Sequence, residues 1–317
     1  MTSPLIDALL AFALIAVVPL ALGLDRRTAR LRAMAAAAGV LATAGLAFRR
    51  DVALAVALAT PWLVTTVVAT SAAIRAWSPT RRTLTSVARP LPFAYLVFGA
   101  AWLLFELAGA RPLGVAPPFV ELAAVHMSYA GFTAGMLATV AARRLATSRP
   151  VPAAIMLALV LAGPPVVAVG FRFAPPLQVV GAVLLTLGLS MLAWLTVQVV
   201  IPSAGRLTAV LLGASSAAIV APMLLATWWA IAITAALPAP SVASMARSHG
   251  LTNAVGFAFL GVLGWRRLQH EQPDEPRNAT RAHRQAGRAR ARHASRVRHD
   301  PVAEPRGAER GKATGPG

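Results

Sequence analysis

Apolar stretches of roughly 20 residues follow one another along the chain, separated by short clusters of charge, and this pattern most constrains the fold. A stretch of that length, folded as a helix, spans the hydrocarbon core of a bilayer. We place the stretches at 4–24, 31–48, 52–74, 91–110, 119–142, 151–171, 176–199, 207–236 and 246–265. The pattern predicts an all-α fold, a polytopic transmembrane helical bundle of about nine spans.

Composition separates this chain from soluble enzymes. Hydrophobic residues make up 57% of it and charged residues 13%, whereas soluble domains average roughly 25% charged. The absence of cysteine excludes disulfides, thiol nucleophiles and cysteine-ligated clusters. Residues 1–24 carry no basic residue, so we do not expect a secretory signal peptide, in which positive charge precedes the apolar stretch.

Arginines between the stretches predict the orientation. The richer set of loops holds Arg26, Arg27, Arg30 and Arg32, then Arg75, Arg81, Arg82 and Arg89, then Arg143, Arg144 and Arg149, then Arg206, and finally Arg266 and Arg267. The intervening loops hold Arg49 and Arg50, then Arg111, Arg172 and Arg247. The positive-inside rule assigns the richer set to the cytoplasm. We therefore predict an outside N-terminus and a cytoplasmic C-terminus, which requires an odd number of spans.

The chain divides into a transmembrane domain, 1–267, and a basic tail, 268–317. The tail is rich in arginine and poor in large apolar residues, so it cannot bury enough surface to fold alone, and we predict a disordered cytoplasmic segment. The net charge of +19 is explained by arginines that face anionic lipid headgroups, and nucleic acid is not the expected partner. The arginine- and alanine-rich composition indicates a GC-rich bacterial genome, so we predict a multi-pass protein of the bacterial cell membrane.

Ionisable groups inside a membrane are costly and mark function by default. Glu106, His126 and His249 each lie 17 residues from a cytoplasmic arginine, which is Arg89, Arg143 and Arg266 respectively. At about 1.5 Å per residue, all three lie about 25 Å from the cytoplasmic boundary, in one layer near the outer surface. Tyr129 shares a helix face with His126, and Asn253 shares one with His249.

Other polar residues and helix breakers lie at a similar depth. Asp7 and Glu121 each occupy a first helical turn, where an acidic side chain suits the helix dipole, and we interpret both as structural. Pro222 and the stretch 163–165 (Gly-Pro-Pro) are predicted to interrupt their helices and to line a cavity. Gly131 and Gly256 are expected to permit close helix approach.

Two motifs resemble the YndJ-like family of bacterial membrane proteins. The first is His-Met-Ser-Tyr-Ala-Gly-Phe at 126–132, and the second is His-Gly-Leu-Thr-Asn-Ala-Val-Gly-Phe at 249–257. The resemblance covers residues 1–267. The family pattern has an aromatic residue where this chain has Met127. The resemblance implies a transporter-like membrane protein without specifying a substrate.

The leading hypothesis is a protein that binds or transports a small solute through an outward-facing polar cavity lined by Glu106, His126, Tyr129, His249 and Asn253. We expect no enzymatic activity and no cofactor. One alternative is a membrane redox protein in which His126 and His249 hold haem or a divalent metal. Another is a membrane sensor or assembly factor whose basic tail contacts a partner.

Overall fold

The computed structural model describes residues 4–75 and 87–272, and within them it contains helices and no strand. The described residues form nine helices, some with π-helical segments, and we number them α1 to α9 in chain order. They are Pro4–Leu22 (α1), Arg32–Ala47 (α2), Val52–Arg75 (α3), Leu91–Leu107 (α4), 119–144 (α5), Pro150–Phe173 (α6), Pro175–Ser203 (α7), Arg206–Thr234 (α8) and 242–271 (α9).

The all-α prediction is confirmed, and the rods have the apolar character of membrane helices. Five of them, α1, α3, α6, α7 and α8, are long and apolar enough to cross a bilayer, and α4 is a shorter apolar helix. Large apolar side chains remain exposed along these helices, among them Val64, Val210 and Leu224. In lipid such surface carries no hydrophobic penalty, so the chain is a membrane protein. The number of spans and the orientation remain predictions.

Small residues bring the helices into close contact, as expected for packing in lipid. A Cβ on Gly131 would stand 2.7 Å from the Cβ of Tyr95, and one on Gly256 would stand 2.7 Å from the Cβ of Ala218. Those separations are too short for any larger residue. The predicted close approaches at the two glycines are therefore confirmed: α5 packs against α4 and α9 packs against α8.

The two ends of the bundle are distinct, and we name them after the predicted orientation. The outer end holds the start of α1, the α2–α3 turn and the start of α5, which meet at Asp7, Arg49 and Glu121 respectively. The inner end holds the α1–α2 turn and the end of α9, where the Gln269 amide donates to the carbonyl of Leu24. Asp25 in the α1–α2 turn also pairs with Arg89, and Glu271 at the end of α9 accepts a hydrogen bond from the Gly205 N–H, so these parts of the arginine-rich set meet at one end.

Two helices predicted to be interrupted run without a break. Helix α6 continues through Pro164 and Pro165, and α8 continues through Pro222. A proline removes a single backbone donor, and packing against neighbouring helices lets the rest of the helix persist. The irregular backbone occurs elsewhere, in π-helical segments of α1, α5, α7 and α9.

Helix α9 ends at Glu271, four residues beyond the predicted domain boundary. Leu268 is buried and Gln269 contacts the α1–α2 turn, so these residues belong to the helical body. Arg81, Arg82 and residues 273–317 lie outside the described residues. The disorder of the tail and its contact with anionic lipid therefore stay predictions.

Candidate functional site

His249 is held between α8 and α9 by two polar partners. Its Nδ1 lies 2.9 Å from the carbonyl oxygen of Pro222, and the Asn253 amide nitrogen lies 3.2 Å from its ring nitrogens. A carbonyl oxygen can only accept a hydrogen bond, so Nδ1 is protonated and its N–H donates a hydrogen bond to the Pro222 carbonyl. Nε2 then accepts from the Asn253 amide. The ring is fixed in one tautomer, and the Asn253 Oδ1 atom remains buried without a hydrogen-bond partner.

His126 approaches the same place from α5. Its side chain is partly buried and close enough to His249 for the two imidazoles to interact electrostatically. Among the described residues it has no hydrogen-bond partner. The structure therefore brings the two histidines together. The ring of His249 is fixed by hydrogen bonds, whereas the ring nitrogens of His126 have no hydrogen-bond partner in the described chain.

Tyr129 occupies the next turn of α5 but is already engaged. Its hydroxyl donates to the carbonyl oxygen of Leu9 at 2.9 Å and so joins α5 to α1. A Cβ on Gly250 would also lie 3.1 Å from Leu9, so α1, α5 and α9 converge at this level. Tyr129 thus positions the helix that carries His126. Its proposed role as a solute ligand remains a prediction.

Glu106 belongs to a different group of residues. The charged side chains of the described chain that act on it are Arg49 and Asp7, and Glu106 in turn acts on Glu121. Neither histidine is among these partners. We call Asp7, Arg49, Glu106 and Glu121 the outer charged cluster; it lies at the outer end on the α2–α3 turn and on α1, α4 and α5.

Arg49 bridges two of the carboxylates. Its Nη2 lies 2.5 Å from Asp7 Oδ1 and 3.1 Å from Glu121 Oε1. Glu121 is fully buried, and its Oε2 has no hydrogen-bond partner. The Asp7 and Glu121 carboxyls are close enough to share a hydrogen bond when one is protonated. The cluster therefore contains three carboxyl groups and one guanidinium, so one of its carboxyl groups can bind a proton.

The polar residues coincide with irregular backbone. His126 immediately precedes the π-helical segment Met127–Thr133, His249 lies in Ala246–Gly250, and Asn253 lies in Thr252–Phe259. π-Helical turns are rare and occur frequently at functional sites. Both histidines therefore stand where the helix can change its hydrogen-bond register.

A cavity of about 10 Å³, room for a single water molecule, lies apart from the histidines. Its lining includes Thr196, Ser215 and Ser216 together with apolar side chains of α5, α7, α8 and α9. Among the described residues, no group of three or more His, Cys, Asp or Glu side chains is placed to hold a metal ion.

The model of the YndJ-like protein family matches residues 8–257. The chain belongs to the YndJ-like family. No curated protein and no solved structure matches it significantly.

The YndJ-like match includes both histidine motifs and most of the outer charged cluster, with Asp7 one residue before it. Sequence reasoning missed this cluster because Asp7 and Glu121 have a sufficient explanation as first-turn acids. Arg49 was the available clue, since it lies in a loop of the arginine-poor set. Arg49 is predicted at the same membrane boundary as Asp7 and Glu121, so it is the expected ion-pair partner of these two acidic residues.

Proposed function

We propose that this YndJ-like protein binds a small polar solute between α5, α8 and α9 at the outer end and transports it. The observation that supports this most is the His126 imidazole, which lies beside the fixed ring of His249 with no protein hydrogen-bond partner in the described chain. A polar group inside a bundle requires a partner, and a solute or water that enters from outside provides one.

The free atoms favour a class of solute. The Asn253 Oδ1 accepts hydrogen bonds, and a neutral imidazole offers one acceptor as well as one donor. A solute that donates hydrogen bonds, through hydroxyl or amino groups, would satisfy these acceptors. The nearby outer charged cluster, with three carboxyls for one arginine, favours a neutral or cationic solute over an anion.

The π-helical segments support movement as well as binding. A π-helical turn has an alternative α-helical register, so α5 and α9 can shift without unfolding. Discontinuous or irregular helices near the substrate are common in transporters. We infer that these segments let the helices separate enough to admit the solute.

Haem ligation fits this arrangement less well. Both ring nitrogens of His249 are engaged, so ligation through Nε2 would require Asn253 to turn away. The visible spectrum of the purified protein tests this directly. A Soret band would overturn solute binding in favour of the haem alternative.

Water access to the histidines provides the first test of the site. The chain has no cysteine, so a single introduced thiol reports on its own position. We expect His126→Cys in intact cells to react with a small, membrane-impermeant thiol reagent, whereas Val125→Cys, at a buried position, stays unmodified. An unreactive thiol at position 126, with a reactive control in the α4–α5 loop, would refute a site open to the outside.

Binding is tested with purified protein and a panel of polyols, amino compounds and carboxylates, with thermal unfolding as the measurement. Compounds that stabilise the wild type should also stabilise Val125→Ala and should lose their effect on His126→Ala and His249→Ala. We expect expression of the histidine variants to be largely unchanged. Stabilisation of His126→Ala equal to that of the wild type would place binding elsewhere.

A further inference from the structure

Two arginines meet at the inner end with no acidic partner among the described residues. Arg32 begins α2 and Arg266 lies near the end of α9. The point at which a Cβ would stand on Gly23 lies 3.1 Å from the Cδ of Arg32 and 3.3 Å from the Cζ of Arg266. The two side chains therefore pack together over a glycine that leaves room for both.

Neither guanidinium is neutralised within the described chain. The Nε of Arg32 is buried and has no hydrogen-bond partner. The nearby carboxylate of Asp25 is already occupied, since it accepts from Arg89 Nε at 2.7 Å and from the backbone N–H of Arg27 at 3.0 Å. A buried guanidinium donor without an acceptor is costly.

The electrostatics of the pair are unfavourable as the protein stands. Burial, and then the charge of Arg32, lower the pKa of Arg266. Arginine nevertheless stays charged in proteins, so two like charges remain side by side. Arg32 also stands in the first turn of α2, where the positive end of the helix dipole adds to the repulsion. An anion between the two side chains would relieve all of these costs.

We propose that Arg32 and Arg266 form a binding site for a phosphate group at the inner boundary of the membrane. The planar fork of a guanidinium matches phosphate oxygens with two parallel hydrogen bonds. Arg32 lies in the first turn of the second predicted span and Arg266 lies one residue beyond the last, so the pair is expected at the depth of the lipid headgroups. The phosphate belongs to an anionic phospholipid or is free in solution, and both sources present the same oxygens to the arginines.

The adjacent turn provides a matched control. Arg26 is exposed and has the same charge, so it contributes to general attraction for anionic membranes without belonging to the pair. Gly23 provides a variant that keeps every charge. Its φ of −71° suits alanine, but the added methyl group would lie 3.0 Å from the carbonyl oxygen of Leu20 and would push the Arg32 and Arg266 side chains aside by a few tenths of an ångström.

The test measures phosphatidylglycerol bound to the full chain in detergent, by native mass spectrometry over a lipid titration. Phosphatidylcholine and inorganic phosphate are run as separate arms. We expect Arg32→Gln with Arg266→Gln to weaken phosphatidylglycerol binding about tenfold or more, as for lost hydrogen bonds to a charged group. Gly23→Ala should weaken it severalfold, and Arg26→Gln should change it less than about threefold.

Each outcome decides the proposal. Inorganic phosphate that competes with the lipid and stabilises the wild type, but not the double variant, supports the site with free phosphate as its ligand. Phosphatidylglycerol binding that phosphate cannot displace supports the site with lipid as its ligand. Unchanged binding by the folded double variant, or an equal loss in Arg26→Gln, overturns the proposal.

Discussion

The two ends of the bundle have opposite charge imbalances. At the outer end a single guanidinium, Arg49, stands among the carboxyl groups of Asp7, Glu106 and Glu121. At the inner end the buried carboxylate of Asp25 pairs with Arg89, while Arg32 and Arg266 are left together. Carboxyl groups therefore outnumber the guanidinium in the outer charged cluster, and guanidinium groups outnumber the carboxylate among Asp25, Arg89, Arg32 and Arg266.

At each end, the charge that holds the helices together is different from the charges that are left to bind a partner. The minority charge joins several elements, because Arg49 ties the α2–α3 turn to α1 and α5, and Asp25 ties the α1–α2 turn to the start of α4. The surplus charges have no such role, and they attract partners of opposite sign. We therefore expect protons or cationic solutes at the outer end and anions at the inner end.

The largest expected effect tests whether the two ends face opposite sides of the membrane. Ala116 lies in the α4–α5 loop and Ser148 in the α5–α6 loop, and both are exposed. In cells, an impermeant thiol reagent should label Ala116→Cys fully and leave Ser148→Cys unlabelled until the membrane is permeabilised. Labelling of both from one side would mean that α5 does not span the bilayer. The two charged ends would then not face opposite sides of the membrane.

The second prediction removes the minority charge at each end. Asp25→Ala and Arg49→Ala should each destabilise the protein by about 3–5 kcal/mol, because each leaves buried or partly buried opposite charges without a partner. Thermal unfolding of purified protein at neutral pH measures the loss. Arg26→Ala and Arg50→Ala, both exposed, are the matched controls and should change stability by less than about 0.5 kcal/mol.

The same pair of variants should respond differently to acid. Lower pH protonates the carboxyl groups left behind in Arg49→Ala, so its loss of stability should shrink. It cannot neutralise the arginines left behind in Asp25→Ala, so that loss should persist. An identical acid response in the two variants would contradict the opposite imbalances.

The sequence predicts most of the helical body, because each helix carries a continuous apolar stretch of the right length. It also predicts that His126 and His249 lie at one level, since depth follows from residue count along straight helices. It does not predict their partners. Which side chain faces Glu106 depends on the order of helices around the bundle, and apolar stretches with little amphipathic asymmetry carry no information about that order.

The prolines show a second limit of the sequence. Pro222 was predicted to break its helix, but the helix around it is continuous and its own carbonyl accepts the His249 hydrogen bond. The irregular backbone lies instead in π-helical segments such as Met127–Thr133, which contain no proline. A π-helical turn arises from how neighbouring helices pack, so local sequence does not mark it.

The third prediction removes a majority charge at the outer end. Glu106→Gln should change stability by less than about 1 kcal/mol, because the lost attraction of the Glu106 carboxyl to Arg49 is offset by lost repulsion from Asp7 and Glu121. Thermal unfolding at neutral pH, beside Arg49→Ala, gives the comparison. A loss as large as that of Arg49→Ala would show that Glu106 is part of the bridge and that the carboxyls are not in surplus.

The smallest expected effect concerns Glu271, an exposed carboxylate at the basic end. It accepts hydrogen bonds from the Thr208 hydroxyl at 2.7 Å and the Gly205 N–H at 3.1 Å, and it pairs with Arg267, so it joins the end of α9 to the start of α8. The hydrogen bonds from Thr208 and Gly205, and then the charge of Arg267, lower its pKa from the ordinary value of 4.5.

The lowered pKa sets the sign of the pH dependence. The folded protein binds the Glu271 proton less readily than the unfolded chain, so its contribution is complete above the ordinary pKa and disappears as pH falls through the folded pKa. Glu271→Gln retains an acceptor for Thr208 but has no charge for Arg267. Unfolding temperatures between about pH 3 and about pH 7 should show a small deficit of this variant near neutrality that closes in acid. A deficit of constant size across that range would assign the role of Glu271 to packing, and the ionised carboxylate would then not be what links α9 to α8.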